Sequence, residues 1–534
     1  MPGGGLIPLV AYGGQNTFLS GNPDFTYFYK IYKKYSHFSQ ENVTIPLEGP
    51  NELSFTNPIQ LRVKIQRIGD LLSDMYLTFR IPDIYCKDVS TPDNLYAPGT
   101  ERTDGSYQFD FQWVRFLGAH IIRNAAFFVG GQKIQEFDSE YIIAKAFSDL
   151  DKDAFAKWQR LIGDVPELNN PSDGLYKGYN TNGSSGYPYV VSDGEYAGKQ
   201  QNNNPSIPGR DIMVPIPFWF CQSFANSLPL IALQYHDCEV QFTLRPIQEL
   251  YTILDQNGGY RVAPGNKLSV EQSSLNQPVY LPAVNSSGNV DGNFNLFAVD
   301  FGFTPPVINS WFLNPRIQCT FIYLTDDERK VFANQPLSYL LYQTTLYSFP
   351  GLFNRQVLDI DTHNPINRLL LVPRRSDTLP YRNDVANYTN WWFYPLRFLK
   401  YGTNISSDIT SSGVFYVGSQ DAIIRHLRVL MDGNEIQEEK PVDYFTKVVT
   451  WRNERGGSAL PQTNYLPVYS FELESTGLQP SGSVNTSKVR LVQIEVDPWP
   501  LPQPILYLYD LNIYVENINW FEVAGGMGGL KWAL

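Results

Sequence analysis

Histidines, cysteines and adjacent carboxylates are the residues of this 534-residue chain whose chemistry could support metal binding, nucleophilic attack or proton transfer. Their spacing supports none of these. His37, His120, His236, His363 and His426 are isolated, with no HExxH and no His-x-His pair, whereas a zinc site needs several ligands delivered at short, regular intervals. Cys86, Cys221, Cys238 and Cys319 form no CxxC. The expectation for them is reduced, mostly buried thiols in a reducing compartment. A phosphate-cradling GxxxxGK followed by Ser or Thr is absent, as is a GxSxG nucleophile elbow. Asp326-Asp327 and Glu438-Glu439 are sequence neighbours, and adjacent carboxylates diverge instead of forming an acid/base pair. No catalytic residue, cofactor site or metal site is expected, and the chain does not read as an enzyme.

Binding chemistry is equally sparse. Lys and Arg number 41 against 53 Asp and Glu, a net charge of −12 with a pI near 5.0. That balance excludes a protein whose main task is to wrap nucleic acid, which needs a basic face. The local exception is Lys30, Lys33 and Lys34, with no acid between Phe25 and Gln40. Ahead of it, residues 1–25 carry no charged side chain before Asp24, and glycines at 3, 4, 5, 13, 14 and 21 oppose stable helix. This segment reads as an arm, and the lysines as a contact for an acidic protein or anionic lipid. It also lacks the basic n-region of a signal peptide. Six Asn-x-Ser/Thr sequons occur; Asn182 and Asn285 are the candidate glycosylation sites because they fall in expected surface loops.

The elements that hold these residues are strands. Aromatics make up 14% of the chain, and Gly 40 and Pro 38 are spread along it, a composition of strand formers and turns. Ile59, Leu61, Val63 and Ile65 alternate with polar residues, as do Cys238, Val240, Phe242 and Leu244, and Leu511, Ile513 and Val515. Each such strand buries one face, so two sheets must pack face to face. IIRNAAFFVGGQKIQE (121–136) and IIRHLRVLMDGNEIQE (423–438) match at a constant offset of 302, including Gly131/Gly433, Ile134/Ile436 and Glu136/Glu438. Each reads as a hairpin whose Gly supplies the positive φ of the turn. The repeat implies a duplicated unit. CTFIYLTDDERKVF (319–332) and LNIYVENINWFEV (511–523) read as the last strand of each copy. Helical spacing is clearest over Ser139–Leu161, with shorter stretches at Val442–Trp451 and Asp326–Ala333. Residues 165–210 and 255–293 read as long surface loops, and the GGMGG at Gly525–Gly529 as a flexible tail. No run approaches the roughly 18 apolar residues of a membrane-spanning helix.

Several strings resemble a known family. LIPLVAYGGQNTFLSGNPDFTYFYKIYKKYSHF (6–38), VPIPFWFC (214–221) with LPLIALQYHD (228–237), FIYLTDDERKVFA (321–333) and YSFELESTGLQPSGSVN (469–485) are similar to segments of the major capsid proteins of nucleocytoplasmic large DNA viruses. Departures include Lys33-Lys34 where an arginine pair is common, and Asn364-Pro365-Ile366 where a His-Pro-Val type motif is common. The resemblance implies an all-β chain of two tandem eight-stranded antiparallel jelly rolls, with long surface loops and a few short helices. The expected division is an arm over 1–25, a first jelly roll over 26–333 and a second over 337–534. The implied function is a structural capsid protein. It would form homotrimeric, pseudo-hexagonal capsomers that tile an icosahedral virion shell assembled in the host cytoplasm. Implied partners are neighbouring capsomers, minor capsid proteins and the inner viral membrane, with no sequence-specific nucleic-acid binding. The rival reading is a jelly-roll carbohydrate-binding or glycan-processing protein.

Overall fold

The alternating segments do form strands, and their pairing shows what the duplication built. The computed structural model describes residues 3–84, 111–169, 207–254, 261–264, 269–272, 278–281, 310–390, 421–457, 465–477, 479–501 and 507–532. In the first half the main strands are β1 (Phe38–Pro46), β2 (Ile59–Lys64), β3 (Leu71–Arg80), β4 (Ile122–Val129), β5 (Gln132–Asp138), β6 (Asp211–Pro215), β7 (Cys238–Leu244) and β8 (Arg316–Leu324). In the second half they are β9 (Leu337–Leu352), β10 (Gln356–Ile360), β11 (Pro365–Arg375), β12 (Ile424–Met431), β13 (Asn434–Pro441), β14 (Val468–Ser470), β15 (Val492–Pro498) and β16 (Tyr509–Ala524). The first eight form two antiparallel sheets ordered β1-β8-β3-β6 and β2-β7-β4-β5. The next eight repeat that order: β9-β16-β11-β14 and β10-β15-β12-β13. In each lobe the first strand pairs with the last, Phe38 opposite Leu324 and Leu337 opposite Val523. This is a double jelly roll.

Burial explains the register. β2 alternates buried and exposed residues along its whole length, as a strand with one wet face must. β11 differs: from Ile366 to Arg375 every residue is buried. Its Leu369 and Leu371 join the core of the second lobe, whereas Leu370 and Val372 point the other way and join the core centred on the first. The second lobe therefore uses both faces of one sheet, one for its own sandwich and one for its neighbour.

The duplicated hairpins occupy equivalent places, between β4 and β5 and between β12 and β13, with Gly131 at φ +83° and Gly433 at φ +79°. Two expectations need correction. The helical run after β5 is two helices, α1 (Ser139–Asp149) and α2 (Lys152–Ile162). Leu150 turns extended, and the Asp151 carboxylate accepts the Ala154 N–H at 2.7 Å, which caps a second N-terminus inside the amphipathic stretch. The glycine-rich tail is a hairpin: Gly525 and Gly526 take positive φ, and β17 (Met527–Leu530) returns along β16, Val523 opposite Gly528. The Tyr235 N–H donates to Gly526 O at 2.9 Å and the Gly528 N–H to His236 Nδ1 at 3.2 Å, so the tail is pinned to the first lobe. A Cβ on Gly528 would sit 2.6 Å from the Leu233 side chain.

Helix α3 (Asp326–Asn334) lies between the lobes in sequence. After β13 a π-type turn, Tyr444–Val448, runs into α4 (Val449–Asn453). Among the described residues no helix is long and apolar enough to cross a membrane. Cys238 and Cys319 are free and buried and Cys221 is free and half-buried; Cys86 lies outside the described residues. So do Asn182, Asn285 and most of the loops expected over 165–210 and 255–293.

Candidate assembly surfaces

The largest concentration of functional-group chemistry lies where the two lobes meet. Thr344, Glu516, Arg368 and Ser470 stand opposite one another in a row across β9, β16, β11 and β14, so their side chains share one face. Helix α1 of the first lobe lies on that face. Arg368 is fully buried and donates to Glu516 Oε2 at 2.5 Å and Oε1 at 3.0 Å, to Asp149 Oδ1 at 2.7 Å, to Glu454 Oε2 at 2.9 Å and to Ser148 Oγ at 3.1 Å. Tyr141 donates to Glu516 Oε1 at 2.5 Å, and the Lys145 ammonium sits 2.7 Å from Asp149 Oδ2. Burial alone would raise Glu516, but the Arg368 and Lys145 charges beside it hold it well below the ordinary glutamate range. A second group lies further along α1. Arg374 Nη2 donates to Glu140 Oε1 at 2.6 Å and Tyr514 OH to Asp138 Oδ2 at 2.8 Å; burial, with Glu140 nearby, pushes Asp138 up to about 6.

Backbone edges are matched across the same junction. Gln343 Nε2 donates to Ile134 O at 2.7 Å, and Gln135 Nε2 to Tyr342 O at 2.9 Å, which fastens β9 along β5. Gly456 and Gly457 donate to Ser148 O and Phe147 O at 2.7 Å. A Cβ on Gly456 would fall 2.2 Å from Phe147 O, so only glycine permits that approach. None of the pairs that cross between the lobes is close in sequence. The detectable signal was a charge inside an apolar run, Arg368 within INRLLLV and Glu516 within IYVENI.

Away from the junction, two places gather other functional groups. His426, Glu439 and Asp497 bring ligand atoms within 4.8 Å of one another, which corrects the expectation that His426 stands alone. Arginines already hold both carboxylates, however: Arg425 Nη2 lies 2.5 Å from Asp497, and Arg355 pairs with Glu439. The arrangement is an ion-pair network on β12, β13 and β15. A cleft of about 320 Å³ is lined by His120, Arg245, Gln248, Glu249, Leu379 and Asn383. There Arg245 Nη1 donates to Glu249 at 2.8 Å, and burial and the neighbouring arginines Arg245 and Arg374 hold His120 well below its usual range. These groups satisfy one another and present no aligned nucleophile and base.

The N-terminal segment contrasts with this. Every described residue before Phe38 is exposed apart from Thr26, which is half-buried, and the segment carries Leu6, Phe18, Tyr27, Phe28, Tyr32 and Tyr35 in the open. Short helical turns at Leu6–Val10, Gly14–Asn16 and Thr17–Ser20 are its regular structure among the described residues. Lys30, Lys33 and Lys34 are exposed and form no ion pair with the described residues. The structure thus leaves the three lysines together on an uncovered aromatic segment.

Comparison with known proteins agrees with this architecture. Residues 26–281 match the family described as major capsid protein N-terminus, and residues 328–529 match large eukaryotic DNA virus major capsid protein. The major capsid protein of Phaeocystis pouchetii virus is 22% identical, over 99% of both chains. That of Paramecium bursaria Chlorella virus 1 is 23% identical, also over 99% of both. Among solved structures, the Faustovirus major capsid protein superposes with a TM-score of 0.61 at 13% identity, over 96% of this chain and 94% of that one. With one match on each lobe and full-length relatives on both sides of the junction, the chain belongs to the major capsid proteins of large eukaryotic DNA viruses, a family of structural shell proteins and not of enzymes.

Proposed function

We propose that three copies of this chain form a homotrimeric, pseudo-hexagonal capsomer that tiles the icosahedral shell of a large double-stranded DNA virus. The observation that carries this is the identical strand order in both lobes. Three chains with two like lobes each place six similar walls around one axis, and near-hexagonal blocks tile flat facets. In this reading 26–333 and 337–534 are the two walls, and 1–25 is an arm beneath the capsomer. Lys30, Lys33 and Lys34, at the root of the arm, face minor capsid proteins or an anionic inner membrane, and assembly takes place in the host cytoplasm. The uncovered apolar arm supports this, because contiguous exposed apolar surface marks an interaction site.

Native mass measurement with negative-stain microscopy of the purified chain tests the capsomer: three-chain particles with hexagonal outlines are expected, and a single-chain species at micromolar concentration overturns it. Removing residues 1–24 should leave capsomers folded yet impair their entry into shells. Truncated capsomers entering at wild-type efficiency would remove the arm's role.

A further inference from the structure

Residues 453–457, running on from the end of α4, strap the two lobes together. On one side Gly456 and Gly457 donate to the α1 carbonyls of Ser148 and Phe147, and Ser148 Oγ donates to Glu454 Oε2 at 2.6 Å. On the other side Asn453 Nδ2 donates to Glu472 O at 2.5 Å, and Asn453 O accepts the Ser475 N–H at 3.0 Å. Arg455 adds an exposed ion pair to Glu474 at 2.6 Å. The strap thus joins the first lobe to the turn that follows β14.

That turn holds a buried acid with no counter-charge of its own. Glu472 is 2% exposed, yet neither of its carboxylate oxygens has a hydrogen-bond or ion-pair partner among the described residues. Its backbone is what is held: Ser470 Oγ accepts the Glu472 N–H at 3.1 Å, and the Phe471 N–H donates to Asn367 O at 2.8 Å. Around the carboxylate stand Tyr342 from β9, Asn367 and Arg368 from β11, Glu516 from β16 and Glu454 from the strap. The cations are engaged elsewhere, Arg368 with Glu516, Asp149 and Glu454, and Lys145 of α1 with Asp149 and Glu516. Four carboxylates thus face two cations, and a buried carboxylate without a counter-charge takes up a proton instead. Burial pushes Glu472 up to about 7 despite the Arg368 charge nearby.

We infer that a proton on Glu472 keeps the strap seated, and that its loss sets Glu472 against Glu454 and Glu516 and frees residues 453–457 from α1. The junction is therefore a pH-sensitive clasp between the lobes. It lies within one chain, so it stands or falls independently of the homotrimer. The stabilisation is full below the ordinary glutamate range, is lost as pH climbs to about 7 and changes no further above that. If the carboxylate ionises normally once the strap opens, the open form is about tenfold more populated at pH 8 than at pH 6. Asp138 on the α1 cap, raised by burial to about 6, adds roughly twofold in the same direction.

Amide hydrogen exchange of the full-length chain at pH 6, 7, 8 and 9, corrected for the intrinsic pH dependence of exchange, tests this in peptides covering 139–150 and 449–457. In wild type, opening should rise at least about tenfold from pH 6 to pH 8 and level off by pH 9. Glu472→Gln, neutral at every pH, should keep the strap protected and leave only the roughly twofold rise due to Asp138. Glu474→Gln removes an exposed carboxylate from the same turn and should raise opening alike at every pH, with the wild-type rise intact. A flat wild-type profile overturns the inference with no variant needed. A tenfold rise that survives in Glu472→Gln assigns the switch to another group and overturns it too. A Glu472→Gln chain that fails to fold by circular dichroism also overturns it, because the amide stands in for the protonated acid.

Discussion

Replacing Arg368 by methionine removes the guanidinium that ties α1 to β11, β16 and α4. Five hydrogen bonds are lost, two to Glu516 and one each to Asp149, Glu454 and Ser148. Methionine roughly fills the volume, so the cost is electrostatic. Stripping one partner from a buried ion pair costs roughly 3–5 kcal/mol. Here three carboxylates are left facing one another with Lys145 as their remaining cation, which puts the expected loss near the upper end, about 5 kcal/mol at pH 8. The pH dependence has a defined sign. In the native protein Glu516 sits below its ordinary range, so its stabilisation is present above that range and is lost as pH falls. In the variant the acids lack their counter-charge and bind protons more readily, so the deficit should shrink between pH 8 and pH 5. Guanidinium titrations followed by tryptophan fluorescence at both values measure it. A loss under about 1 kcal/mol at pH 8, or one that does not shrink at pH 5, would refute the reasoning.

Other expectations are simpler. Gly131→Val and Gly433→Val should each lower stability by about 1–2 kcal/mol, because both sites need positive φ and a Cβ there meets no atom within 4 Å; thermal melts that penalise only one of them break the equivalence of the hairpins. Cys238 and Cys319, whose thiols burial pushes up to about 12, should resist Ellman's reagent at pH 8 until the chain unfolds, and rapid labelling of the native protein contradicts their burial. Asp138, raised to about 6, gives stability that is full below the ordinary aspartate pKa and lost as pH rises through 6. Asp138→Asn keeps the α1 cap and should flatten that slope, a relative gain at pH 8 of roughly 2–3 kcal/mol, and an unchanged slope in urea titrations at pH 4 and 8 refutes it.

The jelly rolls were legible because their signals are local. Period-two alternation marks β2, β7 and β16, and the sixteen-residue echo around Gly131 and Gly433 exposes the duplication without any knowledge of strand pairing. The break between α1 and α2 was hidden because Asp151 sits in an amphipathic run, where a polar residue reads as part of the wet face. The tail was misread because glycine content speaks of chain entropy, whereas β17 is held by register against Val523 and by His236, far away in sequence. The junction was invisible for a related reason. Arg368, Glu454, Glu516 and Asp149 come from four separate segments, and only the folded topology brings them together.

The pairing of β9 with β16, and the docking of β17 on the first lobe, also set a timetable for synthesis. A chain emerges from the ribosome N-terminus first, and β8 arrives in time to close the first sandwich beside β1. The second sandwich stays open until Tyr509–Ala524 emerges, because β16 is the central strand between β9 and β11. Tyr235 and His236, made some 290 residues earlier, receive Gly526 and Gly528 only after β16 has emerged. A chain ended before β16 thus lacks both the central strand of the second sandwich and the hairpin that fastens this lobe to Tyr235 and His236 of the first.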